Sequence, residues 1–147
     1  MGLIVRSSLI HAAGVYTTTP IEKGTHIVEY DGPRVNKKQA EEIYGGRDVT
    51  YLYGIGDGEV IINGNNIAAF INHSCDPNCE SDEIGDKVFI IAIRDIKADE
   101  ELIYDYCLYD GEVDDPAICH CGAKECRGSM YNEDEIKRLK MLGMQLV

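Results

Sequence analysis

Turn-forming residues cut this chain into short β-type runs, and that punctuation limits it to small strands joined by tight connections. Leu3 to Val5, Gly14 to Thr18, His26 to Tyr30, Val49 to Ile55, Glu59 to Ile62, Val88 to Ile93 and Glu101 to Tyr104 are rich in β-branched, aliphatic and aromatic side chains. Pro20, Lys23-Gly24, Asp31-Gly32-Pro33, Asp57-Gly58 and Asn63-Gly64 separate them. These residues supply the fixed φ or the left-handed backbone that a turn needs. Two short helices interrupt the pattern. Asn36 with Gln39 reads as a capping box for a helix ending at Gly45-Gly46, and Asn132 with Glu135 as another for a terminal helix carrying Ile136, Leu139 and Leu142. With 147 residues, 44% of them hydrophobic, there is material for one modest core and no second ordinary domain.

The net charge of -12 argues against direct nucleic-acid binding, which depends on Lys and Arg neutralising phosphates. A basic partner suits it better. Glu80, Asp82, Glu83 and Asp86 form one acidic cluster, and Asp110, Glu112, Asp114 and Asp115 another. Both read either as solvated loops or as charge that steers a lysine-rich peptide toward a cleft. No window has the apolar length of a membrane span, and Met1 to Arg6 is too short an apolar run for a signal peptide. The expected protein is therefore intracellular, cytoplasmic or nuclear, and neither secreted nor membrane-bound.

A reducing compartment turns six cysteines from a disulfide set into candidate metal ligands. Cys119-x-Cys121-x4-Cys126 gathers three thiols within eight residues, with Gly122 and Gly128 free to wrap the backbone around an ion. A fourth ligand is missing from that segment. The acidic stretch Asp110 to Pro116 reads as a flexible connection leading into it.

Phe70-Ile71-Asn72-His73-Ser74-Cys75-Asp76-Pro77-Asn78-Cys79 follows a hydrophobic run and is answered downstream by Glu101-Leu102-Ile103-Tyr104-Asp105-Tyr106 and Cys119-His120-Cys121. In this order and spacing the three segments resemble a SET domain with a post-SET cysteine cluster, the catalytic fold of a class of protein lysine methyltransferases. The resemblance runs roughly from Ser8 to Gly128. It implies a mainly β, β-clip fold of small curved sheets with a few short helices and a knot-like C-terminal crossing. That crossing would bring Asn72-His73 beside Tyr104-Asp105-Tyr106. The implied division is a SET domain over 1–110, a zinc-clipped post-SET segment over 111–131 and a C-terminal helix over 132–147.

Residue by residue, the resemblance implies S-adenosylmethionine contacts at His11, Ala13 and Gly14, within a Ser8 to Tyr16 segment similar to the family's Gly-x-Gly turn, and at Asn72 and His73. It implies that Cys75 joins Cys119, Cys121 and Cys126 around a structural zinc. His120 is then a loop residue, and Cys79 and Cys107 are small buried ones. The chemistry falls to Tyr106, which orients the amine and methyl, to Tyr51, which lines the lysine channel, and to Tyr104, whose hydroxyl restricts the product to mono- or dimethyllysine. The implied substrate is a basic, histone-like tail, and a homodimer is compatible with this reading. Two departures stand out. Ala12 takes the place of the first motif glycine and would be strained at a position needing positive φ, and Ala69 replaces an arginine common before the Phe-x-Asn-His run. They motivate the alternative, a catalytically impaired SET module acting as a zinc-stabilised binding protein.

Overall fold

A computed structural model describes residues 2–46 and 50–146. Val49, at the head of one expected strand, lies outside the described residues. The strands are β1 (Leu3–Ser7), β2 (Ala13–Thr17), β3 (His26–Glu29), β4 (Arg34–Val35), β5 (Leu52–Ile55), β6 (Val60–Asn63), β7 (Asn72–His73), β8 (Cys79–Ile84), β9 (Lys87–Ala92) and β10 (Glu101–Tyr104). Helices α1 (Lys37–Tyr44) and α2 (Glu133–Met141) and a 3-10 turn over Ile67–Phe70 complete them. One sheet runs β1-β2-β10-β8-β9-β3 with β7 also on β10, and a smaller one runs β4-β6-β5. The mainly β architecture with two short helices matches the expectation.

Both helix starts are capped as their sequences require, though not equally. At α1 the box is complete: Gln39 N–H donates to Asn36 Oδ1 at 2.8 Å, and Asn36 N–H donates to Gln39 Oε1 at 2.9 Å. At α2 only half forms. Glu135 N–H reaches Asn132 Oδ1, but the Glu135 carboxylate turns away to Arg138 and to the Gly111 N–H. Nor does Leu142 serve the helix's apolar face: it lies past the last turn at 60% exposure, and Met144 fills the inside position.

Sequence reasoning missed the two-residue strands β4 and β7 and the longer β8, whose Glu80, Asp82 and Glu83 had the look of a solvated loop. The β8 backbone pairs with β9 from Cys79↔Ala92 to Ile84↔Lys87, which leaves the acidic side chains exposed on a sheet rather than on a loop. The 110–116 stretch is also held more firmly than a flexible connection. Gly111 N–H donates to Glu135, the Tyr131 hydroxyl to the Asp115 carbonyl and the Ser129 hydroxyl to the Pro116 carbonyl.

Two apolar clusters follow from this arrangement. The main one packs Val15, Ile62, Ile71, Val88, Ile90, Ile96 and Leu102 between the strands. The smaller joins Tyr131, Ile136, Leu139 and Met144 to Leu108 and Ala117, and so fastens the C-terminal segment to the stretch that leaves β10.

Strand β10 makes the crossing. It enters beside β2, with Leu102 opposite Val15, then runs parallel to β7, with Ile103 opposite Asn72 and Tyr104 opposite His73. Tyr104 also pairs with Cys79 at the head of β8, so the 74–78 loop that joins β7 to β8 passes around it. Asn78 locks this loop. Its side chain donates to the Glu101 carbonyl at 2.8 Å and accepts from Ile103 N–H at 2.9 Å, and it is 1% exposed. Truncation would orphan two buried backbone groups, each costing about 1–3 kcal/mol. Asn78→Ala is therefore expected to lose about 2–4 kcal/mol in urea unfolding, and a loss below about 0.5 kcal/mol would remove Asn78 from this role.

Candidate functional site

The crossing sets a tyrosine cluster at the floor of a cleft. Because β10 and β7 are paired in register, Tyr104 and Tyr106 lie beside His73, with ring centroids 4.8 Å apart for the two tyrosines and 5.3 Å apart for His73 and Tyr106. The cleft, about 650 Å³, is lined by His11, Ala12 and Ala13 before and at β2, by Tyr51, Phe70, Asn72 and His73, and by Tyr106. Its far wall comes from the C-terminal segment: Leu108, Ala117, Ile118, Met130 and Tyr131. The spacing of the sequence motifs gave no sign that these last residues form part of the cleft. Among the described residues no lysine or arginine lines it, and its one carboxylate is Asp115. A cationic ligand meets no lysine or arginine there.

The other large hollow, about 590 Å³, is lined by Asp105, Cys107, Arg127, Arg138 and the start of α2. Both of its arginines are already engaged, Arg127 with Asp105 and Arg138 with Glu135, and it lacks the tyrosines. It is a poor candidate for the chemistry.

The expected site residues separate into layers. His11, Ala13, Tyr51, Asn72, His73 and Tyr106 face the cleft. Gly14 and Tyr104 lie behind it. Gly14 is buried on β2, where an added Cβ would sit 2.3 Å from Glu101 Oε2, so its smallness makes room for a carboxylate. Tyr104 is 4% exposed beneath Tyr106. Ala12 is absent from the positive-φ residues, so the departure from the glycine motif carries no left-handed strain. The smaller Ala69 also lines the cleft.

Hydrogen bonds assign each ring a different duty. The Tyr106 hydroxyl donates to the Ile71 carbonyl, which leaves its oxygen lone pairs as acceptors. Burial, with the Glu101 charge nearby, raises its pKa well above the ordinary phenol value and keeps it protonated. Burial, reinforced by Tyr106, does the same for Tyr104. The Tyr104 and Tyr51 hydroxyls make no hydrogen bond among the described residues. His73 is neutral: burial, aided by Arg127, overrides the Asp105 carboxylate and lowers its pKa to about 4. Although His73 Nδ1 lies 3.6 Å from Asp105, it accepts the Tyr106 N–H at 3.0 Å, so this contact is no ion pair. Its Nε2 then carries the proton and points at Cys75 Sγ, 3.5 Å away.

Cys75 belongs to the neighbouring cluster. The Sγ atoms of Cys75, Cys119, Cys121 and Cys126 all lie within 4.8 Å of one another, with Cys75 and Cys119 at 3.9 Å. A tetrahedral zinc with bonds near 2.3 Å spaces its sulfurs by about 3.8 Å, so the donor set fits such an ion. Gly122 and Gly128 hold positive φ where the loop wraps around. Backbone N–H groups of Cys121, Arg127 and Gly128 point at the sulfurs of Cys119, Cys75 and Cys126. Burial opposes ionisation of Cys75, Cys119 and Cys121, yet backbone N–H groups of Cys75 and Ala123 bring Cys121 down to about 6, while Cys119 is pushed up. Cys119 also borders the cleft, as does the exposed His120. Cys79 is fully buried as expected, but Cys107 is not. The chain turns left-handed there at φ 47°, with its N–H capped by Asp105, and the thiol faces solvent.

Comparison with known proteins agrees with this geometry. A family model of the SET domain matches residues 12–107. A histone-lysine N-methyltransferase, H3 lysine-4 specific, from Eremothecium gossypii is 38% identical over 134 residues, covering 82% of this chain and 14% of its own length. Human histone-lysine N-methyltransferase 2B is 37% identical over 134 residues, 84% of this chain and 5% of its own length. The chain thus spans a small fraction of these relatives. Among solved structures, a chain in the crystal structure of the Chaetomium thermophilum polycomb repressive complex 2 superposes with a TM-score of 0.64 at 25% identity, over 71% of this chain and 15% of that one.

Proposed function

This chain belongs to the SET-domain family, and from that premise we propose that it is an S-adenosylmethionine-dependent protein-lysine N-methyltransferase acting on a basic, histone-like segment. One observation carries the reading: a cleft without lysine or arginine among the described residues, floored by the protonated Tyr106 and bordered by Asn72 and His73. The relatives' names support a histone substrate, and the acidic surface suits a lysine-rich one. The impaired-module alternative loses one of its two motives, since Ala12 is unstrained. The division into 1–110, 111–131 and 132–147 stays part of the proposal.

S-adenosylmethionine supplies a methyl on a positive sulfonium, open to in-line attack by an amine. His11, Ala13, Asn72 and His73 would hold it, with Gly14 backing the turn. The lysine must arrive neutral, and at an ordinary pKa near 10.4 only about one in a few thousand is neutral at pH 7. Apolar walls disfavour the ammonium, and a cation in the same cleft does so again. Tyr106 cannot serve as base, because its hydroxyl stays protonated and donates to Ile71. Its oxygen lone pairs can instead accept from the amine or from polarised C–H groups, so the residue acts by positioning. Tyr51 walls the channel. Tyr104, behind Tyr106 and with a hydroxyl unpaired among the described residues, would bound from beneath the space a partly methylated amine needs in order to turn.

Tyr106→Phe is expected to lower kcat by about a hundredfold while leaving S-adenosylmethionine affinity within about twofold of the parent. Methylation of histones at the parental rate would reject the role. For Tyr104→Phe, intact-mass analysis of a saturated histone-peptide reaction should show mono- and dimethyllysine giving way to higher methylation. Abundant trimethyllysine from the parent would reject the limit.

Zinc at Cys75, Cys119, Cys121 and Cys126 would act as a clip, since four thiolates leave no open position for a catalytic water. Metal analysis of the purified protein should return about one zinc per chain, with Cys75→Ser losing it and melting lower because the binding energy is folding energy. A parent without zinc would refute the site.

A further inference from the structure

Three segments converge on one carboxylate that no motif assigned a task. We propose that Glu101 is a positioning residue for the cofactor cleft, fixing the Asn72 amide with Oδ1 toward the cleft and tying down the loop that ends at Ala12. The inference rests on the methyltransferase reading above and deepens it.

Glu101 stands at the start of β10, and its carboxylate accepts from Ser8 Oγ, 2.9 Å from each oxygen, and from Asn72 Nδ2 at 2.9 Å. Asn72 Nδ2 also donates to the Ala13 carbonyl at 2.8 Å, so both of its hydrogens are committed. A flipped amide would set Oδ1 against the Ala13 carbonyl and the carboxylate, acceptor against acceptor. The network therefore permits a single orientation. Asn72 Oδ1 is left without a hydrogen bond among the described residues, on a side chain that borders the cleft. An outward-facing acceptor suits a ligand that brings an N–H donor, as the amino group of S-adenosylmethionine does. Ser8 carries the second half of the argument. Its hydroxyl, held by Glu101, accepts the Ile10 N–H at 3.1 Å and so anchors the turn into Ile10, His11 and Ala12, which line the same cleft. Gly14 supports the assignment, since any side chain there would occupy the carboxylate's place.

The test is titration calorimetry and steady-state kinetics with S-adenosylmethionine on the full chain. Glu101→Ala is expected to weaken cofactor binding about tenfold and to raise KM while kcat at saturating cofactor falls less than about threefold. Glu101→Gln keeps one acceptor for Asn72 and a donor for Ser8, so it should restore affinity to within about threefold of the parent. In a double-mutant cycle, the losses from Glu101→Ala and Asn72→Ala should overlap rather than add. Should Glu101→Ala fail to fold, Ser8→Ala decides: it is expected to weaken binding about threefold with an unchanged melting temperature. Parental affinity in Glu101→Ala, or fully additive losses, would overturn the positioning role alone, as would parental affinity in Ser8→Ala if Glu101→Ala does not fold. A parent that does not bind S-adenosylmethionine would overturn this role and the methyltransferase reading together.

Discussion

The placement of β10 between β2 on one side and β7 with the head of β8 on the other is the constraint on which the molecule depends. A strand in the middle of a sheet must have its backbone groups paired, because an orphaned buried N–H or C=O costs as much as a lost hydrogen bond. Asn78 supplies part of that pairing where the chain crosses, and its side chain stands in for a neighbouring strand. Once β10 is seated, the parallel register with β7 leaves little freedom. Asn72, His73, Tyr104 and Tyr106 fall together as a result of main-chain pairing.

From that core, links run outward to the thiol cluster. His73 joins the Tyr106 backbone to Cys75, and Arg127 joins Asp105 to the loop that carries Cys126. The Arg127 guanidinium forks onto both oxygens of Asp105 and, against the cost of burial, holds that carboxyl below the usual carboxylate range. The tyrosine next to Asp105 and the cysteines next to Arg127 are thus parts of one polar framework. The far wall of the cleft stands on it.

How much of this the sequence showed depended on whether the signal was local. Cap residues such as Asn36, turn glycines and apolar strands such as β9 were readable because neighbours in sequence determine them. The motif residues Asn72, Tyr106 and Cys75 were readable through resemblance. What escaped were features that exist only by contact. The acids of β8 hid a strand whose β character comes from pairing with β9, and Cys107 reads as buried until its left-handed backbone is seen. Met130, Tyr131 and Ile118 reach the cleft through a small apolar cluster that no spacing announces. Glu101 opens a recognisable motif, but its partners Ser8 and Gly14 lie far away in sequence.

The same placement governs when the protein can fold during synthesis. Strands β2, β7 and β8 all emerge from the ribosome before β10, and each keeps a pairing edge that only residues 101–104 fill. Contacts between such distant segments pay loop-closure entropy before they return any stability, so they form late and slowly. A nascent chain therefore carries open strand edges until residues 101–104 have been made, and the cleft comes into being only after them.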